Sequence, residues 1–411
     1  MAKKRLQKKR EAARTASAKI ETTKKEPLKV TTRKVEPLKV ETRKTEPVKV
    51  ETKKTEPVKV ETTKTESMKV ETKKTEPVKV EAAPPVPEIP ARDDDSIYKE
   101  RLAHHLDELK WLYCELYQDN PYVTTHLNDL LKVMKKFYNM RDNDLKNSDF
   151  SREKNPAWYK GNNLTGMMMY VNAFAGDLKG LESKLDYIKE CNVNYLHLMP
   201  LLDSPKGRSD GGYAVADFRK VQENLGTMDD FAHLTSECHK RGINICLDFV
   251  MNHTSEDHEW AKRARNGEKE YQDRYFFFDN YDIPSLYDQT CPEVFPTTAP
   301  GNFTWLEDTH KHVMTTFYPY QWDLNYRNPI VLNEMIFNML YLANQGVDIV
   351  RLDAVPYIWK QIGTNCRNLP QVHTIVRMMR MICEIVCPGV LLLGEVVMAP
   401  EKVVPYFGTV D

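Results

Sequence analysis

The sequence lacks three features that would each assign it to a class of protein. No run approaches the roughly 18 consecutive apolar residues of a membrane helix, so we expect a protein without a membrane span. The eight cysteines lack the short paired spacings of a zinc site or a disulfide framework, so we expect reduced thiols and no metal site. No apolar segment follows the basic N-terminus, so we expect a cytoplasmic protein; nuclear or organellar targeting by this segment stays open.

A formal net charge of zero conceals two oppositely charged parts. Residues 1–90 contain 25 Lys and Arg against 14 acidic residues, whereas residues 91–411 contain 34 against 45. From Glu26 the basic part repeats every ten residues for six copies, as in EPVKVETKKT. Nearly every copy has a proline and few aliphatic residues, so no copy can bury a core. We predict a disordered basic tail over 1–90. A spacer is favoured over an electrostatic tether to an anionic partner, because Glu in every copy weakens the positive field.

The rest of the chain carries helical and then alternating patterns. Leucines recur at intervals of three and four over 93–140, which predicts a helical module at 91–155. Beyond residue 165, helical patterns separate short apolar runs, and the predicted strands lie within 167–174, 195–200, 243–250, 347–355 and 390–397. Such alternation is typical of βαβ units in a parallel sheet, either a closed (β/α)8 barrel or an open doubly wound sheet.

Polar residues follow the apolar strands, where parallel sheets carry their chemistry. They are Asp248, Asn252 and His253 after the third predicted strand, Arg351 and Asp353 in the fourth, and Glu395 in the fifth. Arg351 and Asp353 are two apart on a strand, so the guanidinium can keep Asp353 ionised as a nucleophile. Glu395 follows four aliphatic residues, where desolvation would keep it protonated as a general acid. Two carboxyl groups on adjacent strand ends, about 5 Å apart, would suit a retaining glycosidase.

Several strings in this region resemble a known family. DFVMNH (248–253), GVDIVRLDAV (346–355) and GEVV (394–397) resemble the signature regions of the α-amylase superfamily, glycoside hydrolase family 13. Longer strings are similar to those of the amylosucrases, glucosyltransferases that use sucrose: HLMPLLDSPKGRSDGGYAVADFRKV (197–221), NHTSEDHEWA (252–261), TTFYPYQWDLNYRNP (315–329) and VPYIWKQIGTNCRNLPQVH (355–373). The similarity runs from about residue 158 to about residue 407 and excludes the tail.

The resemblance implies a fold and its boundaries. It implies a (β/α)8 TIM barrel over 156–411, with a loop-rich B domain inserted at about 252–328, and neither a metal nor an organic cofactor. Superfamily members have a third carboxylate in a His-Asp pair near strand seven, for which the sequence to Asp411 holds no counterpart. We therefore expect a barrel of about five strands, incomplete at its C-terminus and inactive by itself.

The resemblance also implies residue roles. Asp353 matches the nucleophile that forms a β-glucosyl-enzyme, Glu395 matches the acid/base, and Arg351 matches the residue that orients the nucleophile. The residues implied in substrate binding are Asp210, Tyr213, His253 and Phe317, with Asp248 and Asn252 beside them.

The reaction implied by the resemblance is retaining α-glucosyl transfer from sucrose to an α-glucan acceptor or water. Hydrolysis of sucrose or of an α-glucan stays open, as does a non-catalytic body that binds a sugar or a partner. The presence of Asp353, Glu395 and Arg351 together favours the enzyme. We expect no membrane partner, and nucleic acid only through the basic tail.

Overall fold

The computed structural model describes residues 93–408. The predicted disordered tail at 1–90 therefore lies outside the described residues. Within 93–408, no helix has both the length and the apolarity to cross a bilayer. All eight cysteines lie in this range, and none forms a disulfide there.

The elements follow one another as helices and short strands. The strands are β1 (Gly166–Met169), β2 (Tyr195–Leu198), β3 (Leu202–Asp203), β4 (Asp217–Val221), β5 (Asn244–Val250), β6 (His253–Ser255), β7 (Phe277–Phe278), β8 (Phe303–Leu306), β9 (Lys311–Met314), β10 (Gln321–Asp323), β11 (Ile349–Asp353) and β12 (Leu391–Gly394). The helices are α1 (Asp94–Leu116), α2 (Val123–Met140), α3 (Asn143–Lys154), α4 (Val171–Ala175), α5 (Leu178–Glu182), α6 (Leu185–Glu190), α7 (Met228–Lys240), α8 (Glu259–Arg265), α9 (Lys269–Gln272), α10 (Asp282–Asp288), α11 (Pro329–Asn344), α12 (Pro370–Val386) and α13 (Pro400–Val403).

Helices α1 to α3 precede the sheet; α1 packs on α12, and α2 packs on α11. The side chain of Asp93 accepts a hydrogen bond from the Ser96 N–H at 3.1 Å, which favours the start of α1. Arg141, after α2, forms a buried ion pair with Asp149 at 2.6 Å and donates to the Ala343 carbonyl at 2.9 Å. These contacts fix α2 and α3 against the end of α11. The module boundaries at 91 and 155 stay a prediction.

The central sheet has five parallel strands in the order β1-β2-β5-β11-β12. Helices α5 and α6, α7, α11 and α12 lie between successive strands, which is the βαβ pattern predicted from the sequence. β5 and β11 are almost fully buried, because helices or neighbouring strands cover both of their faces. Within the described residues the sheet does not close, and β1 and β12 are its edges.

Two predicted elements differ from the structure. The apolar run 167–174 was predicted as strand, but β1 ends at Met169 and α4 begins at Val171. Asn172, Ala173 and Ala175 have low strand propensity, which explains why the strand stops early. The helical pattern between the first two predicted strands forms two short helices, α5 and α6, interrupted at residues 183–184.

The segment between β5 and α11 lies apart from the central sheet. It contains a two-stranded antiparallel sheet of β6 and β10, and a three-stranded sheet in the order β7-β9-β8. Trp322 on β10 is fully buried against Tyr275, with ring centroids 5.7 Å apart, and forms the centre of this segment. The segment places β6 and β10 directly beyond the carboxyl end of β5.

Candidate active site

Four charged side chains meet at the carboxyl ends of three neighbouring strands. Asp248 lies on β5, Arg351 and Asp353 lie on β11, and Glu395 follows the last residue of β12. The strand register pairs Arg351 with Asp248, and Leu352 with Gly394. Because neighbouring parallel strands bring equivalent positions to one edge of the sheet, the four side chains point into the same space.

Arg351 contacts all three carboxylates. Its Nη1 donates to Asp248 Oδ1 at 2.6 Å and to Asp353 Oδ1 at 2.7 Å, and its Nη2 lies 3.0 Å from Glu395 Oε1. The hydrogen bond predicted from the two-residue spacing of Arg351 and Asp353 is therefore present. One guanidinium brings the two carboxyl groups of the proposed catalytic pair together.

The burial of the two carboxyl groups is the reverse of what the sequence led us to expect. The side chain of Asp353 is 11% exposed and that of Glu395 is 36% exposed. Burial, followed by the charge of Glu395, raises the pKa of Asp353 to about 7 against the opposing charge of Arg351. We expected desolvation at Glu395, whereas the more buried of the two carboxyl groups is that of Asp353. No later strand covers Glu395 within residues 93–408.

His197 is a site residue that the sequence analysis missed. It lies on β2, and its Nε2 is 2.9 Å from Asp248 Oδ2, whose side chain is fully buried. Asp248 thus bridges His197 and Arg351 and fixes the orientation of the guanidinium. The strand-end rule that selected Asp248 also applies to His197, so the sequence did contain a signal for it.

The opposite side of the site is built by the inserted segment and the loop after β3. His253 Nε2 donates to the Tyr213 carbonyl at 3.2 Å, and its ring lies 5.2 Å from that of Phe317. Burial lowers the pKa of His253 to about 4, so this imidazole is neutral at pH 7. The Tyr213 ring lies 5.9 Å from the guanidinium carbon of Arg351. Tyr213, His253 and Phe317 therefore form an aromatic wall beside the carboxylates.

Asp210 lies at the edge of this wall. It has a left-handed backbone with φ of 50°, and its Oδ2 accepts a hydrogen bond from Gln321 Nε2 at 3.1 Å. Burial raises the pKa of Asp210, while the hydrogen bond from Gln321 opposes that rise. Among the described residues, the hydrogen-bond partner of Asp210 is the amide of Gln321, which no sequence pattern indicated.

Asn252 does not line the site. It is fully buried, and its side chain accepts from Lys360 Nζ at 2.9 Å and donates to Asp323 Oδ1 at 3.1 Å. Lys360 and Asp323 form an ion pair at 2.9 Å in which neither side chain is exposed. The prediction that Asn252 contacts substrate is not met by this geometry. Instead, Asn252 donates from Nδ2 toward His253 Nδ1 at 3.3 Å and so selects the tautomer that donates from Nε2.

These residues surround a cavity of about 750 Å³. Of the residues predicted for the site, those that line it are Asp210, Tyr213, His253, Phe317, Arg351, Asp353 and Glu395. Residues not predicted also line it, among them Val294, Phe295, Tyr357, Asn365, Arg367, Asn368, Val397, Met398 and Lys402. Within 93–408, no group of three His, Cys, Asp or Glu side chains is arranged to hold a metal ion.

Comparison with known proteins assigns the chain to a family. The family model for the α-amylase catalytic domain matches residues 98–411. The chain belongs to the α-amylase family. The predicted (β/α)8 fold class is thereby confirmed, with five parallel strands of an unclosed sheet in residues 93–408.

Members of the α-amylase family that are similar to this chain have different names. The trehalose synthase/amylase TreS of Mycolicibacterium smegmatis is 41% identical over 240 residues, 57% of this chain and 39% of that protein. The glucosylglycerate phosphorylase of Spirochaeta thermophila is 36% identical over 221 residues, 53% of this chain and 35% of that protein. A solved MutB variant in complex with the substrate sucrose is 27% identical, with a TM-score of 0.53, over 61% of this chain and 47% of that chain. This chain therefore spans less than half of the length of each.

Proposed function

We propose that this α-amylase family chain carries the machinery for retaining α-glucosyl transfer, with Asp353 as the nucleophile and Glu395 as the acid/base. The observation that supports this proposal is the pair of carboxyl groups held by one guanidinium at the wall of the cavity. A protein that only binds sugar has no need for two carboxyl groups within reach of the same cation.

The reaction follows the double displacement of retaining glycosidases. The ionised Asp353 attacks the anomeric carbon, the bond to the leaving oxygen breaks, and Glu395 gives that oxygen its proton. In the second step, Glu395 takes a proton from an acceptor hydroxyl or water, which attacks the anomeric carbon and releases Asp353. Two inversions at one carbon leave the product with the α configuration of the substrate.

The walls of the cavity suit a glucosyl ring. Aromatic faces pack against the C–H groups of a sugar, and Tyr213 and Phe317 provide them. Asp210 provides an acceptor for sugar hydroxyls at the same wall. His253 contributes its ring, since its Nε2 is already bonded to the Tyr213 carbonyl.

For the substrate, we propose sucrose as the glucosyl donor. The similarity of four strings to the amylosucrases supports this choice, as does the sucrose complex of a solved structure with the same fold. Trehalose is the second candidate, because TreS is named a trehalose synthase/amylase. An α-glucan or water remains the proposed acceptor, and transfer and hydrolysis differ only in which of these attacks the intermediate.

Covalent trapping tests the proposed nucleophile. With 5-fluoro-α-glucosyl fluoride, whose leaving group needs no proton, we expect a fluoroglucosyl ester on the peptide that contains Asp353, detected by mass spectrometry. Asp353→Asn should form no adduct, whereas Asp107→Asn, a change at an exposed position of α1, should react as the unchanged protein does. Glu395→Gln should still form the adduct, because fluoride leaves without a proton. Formation of the adduct requires only the first displacement, so we expect it even though we do not expect turnover from these residues by themselves. An unmodified Asp353 peptide in folded protein would contradict the proposal and favour the non-catalytic alternative.

A further inference from the structure

The cavity contains two cationic side chains that the proposed glucosyl chemistry does not use. Arg367, in the loop after β11, and Lys402, on α13, both line it. Arg351 is paired with three carboxylates, whereas neither Arg367 nor Lys402 has a carboxylate partner within residues 93–408. Two positive charges in this cavity are therefore uncompensated by the part of the chain that the structure describes.

Arg367 is held in place by contacts with neutral groups. Its Nη2 donates to the Pro292 carbonyl at 2.8 Å, and its guanidinium carbon lies 5.1 Å from the centre of the Tyr357 ring. Next to it, Thr290 Oγ1 donates to the Thr364 carbonyl at 2.7 Å, which ties the two backbone segments together. One Nη group of Arg367 is already bonded, and the Tyr357 ring packs against the guanidinium and fixes its orientation. The other N–H donors of the guanidinium are therefore available to a ligand in a fixed direction.

The two cations line the same cavity as the proposed catalytic pair. Lys402 belongs to the segment that follows Glu395, and Val397 and Met398 of that segment also line the cavity. The proposed glucosyl contacts, Tyr213 and Asp210, belong to a different part of the chain, the loop after β3. A group that leaves with a proton from Glu395, or that attacks after losing one to it, therefore shares its cavity with Arg367 and Lys402.

We propose that Arg367 and Lys402 provide a subsite in this cavity for an anionic group, a carboxylate or a phosphate, on the aglycone or on the acceptor. This inference rests on the proposed function and adds the chemical class of the second substrate. A neutral sugar or water needs hydrogen-bond partners but no net charge, whereas a planar guanidinium and an ammonium in the same cavity match the oxygens of an anion. A hydroxy acid would attack through its hydroxyl, and inorganic phosphate through an oxygen. In both cases the bond from Asp353 to the anomeric carbon breaks, a new C–O bond forms, and Glu395 receives the proton of the acceptor.

Release of the trapped fluoroglucosyl-enzyme tests this subsite in the full chain. Glycerate and glycerol form a matched pair that differs by one carboxylate, and inorganic phosphate provides the second anion. At constant ionic strength, we expect glycerate or phosphate to release the adduct about tenfold or more faster than glycerol, as a charge-assisted hydrogen bond predicts. Mass spectrometry of the released product distinguishes a fluoroglucosyl glycerate from a fluoroglucosyl phosphate, and so distinguishes the two sources of the anion.

Substitutions of Arg367 and Lys402 test whether these two cations cause the preference for an anionic acceptor. Arg367→Gln combined with Lys402→Gln should reduce the preference for the anion to about twofold or less, whereas Lys110→Gln, at an exposed position of α1, should retain it. Rates are normalised to the amount of adduct, and circular dichroism and urea midpoints confirm folding. Equal release by charged and neutral acceptors, including no acceleration by either, would overturn the subsite, as would a preference that survives the double substitution. Failure of the adduct to form would instead count against the proposed function.

Discussion

Because the carboxyl group of Asp353 is buried, it makes the free energy of unfolding depend on pH. Substitution of this residue by Asn should remove its contribution to that dependence. The carboxyl has a pKa of about 7 in the folded protein and about 3.9 in an unfolded chain. Between these values the folded protein binds the extra proton, so the free energy of unfolding falls as the pH rises. The difference of about three pKa units, at about 1.4 kcal/mol each, gives a cost of up to about 4 kcal/mol for the ionised form.

The substitution Asp353→Asn should relieve this cost. The quantity to compare is the free energy of unfolding of the variant minus that of the unchanged protein. We expect this difference to be constant below about pH 4, to increase as the pH rises, and to reach its maximum above about pH 7. The loss of the ion pair with Arg351 adds an offset, but Arg351 keeps its contacts with Asp248 and Glu395. The pH-dependent part of the difference therefore reports on Asp353.

Urea unfolding at pH 4, 5, 6, 7 and 8 measures this difference, with Asp107→Asn as the control for loss of an exposed carboxylate. A difference between Asp353→Asn and the unchanged protein that does not change with pH across this range would refute the reasoning.

The same pKa predicts that trapping by the glucosyl fluoride accelerates as the pH rises through about 7, because only the ionised carboxylate attacks. In Glu395→Gln that rise should occur at lower pH, since one of the charges that raise the pKa is gone.

Three further predictions concern other parts of the chain. Lys360→Met should destabilise the fold by about 3 kcal/mol or more in urea unfolding, because it leaves the buried carboxylate of Asp323 without its cation; unchanged stability would show that the pair contributes nothing. Tyr213→Ala should weaken sucrose binding in calorimetry about tenfold through loss of the aromatic wall, and equal affinity would assign the residue to loop structure alone. Limited trypsin should cleave within residues 1–90 before it cleaves the folded body, and the opposite order would contradict the predicted disorder.

Sequence reasoning brought the proposed catalytic pair together because each carboxylate lies at the end of a strongly apolar strand. The strands that end near Asp248, Asp353 and Glu395 form in the structure, and their ends meet at one edge of the sheet. The spacing of apolar residues in a strand or a helix is a local property, so it can be recognised in the sequence. The register of neighbouring strands then brings the side chains together without further information.

The remainder of the site depends on contacts between distant, irregular segments. Gln321 reaches Asp210, and Lys360 reaches Asp323 and Asn252, through loops and strands of two or three residues that carry no periodic signal. The exposure of Glu395 could not be read from the four aliphatic residues before it, since exposure depends on which strands cover the end of β12. Sequence patterns therefore predicted the charged groups but not their burial or their partners.

The burial of Asp353 and the position of Glu395 suit the roles proposed for them. An acid/base must exchange a proton with the leaving group and then with the acceptor, and Glu395 lines the cavity in which we expect both to bind. A nucleophile must form an ester that survives until the acceptor arrives, and Asp353, at 11% exposed, is largely shielded from water. Asp353 in turn requires Arg351, because the cation opposes the rise in pKa that burial causes. In this geometry the guanidinium therefore holds two carboxyl groups in place and also favours the ionised form of the one that attacks.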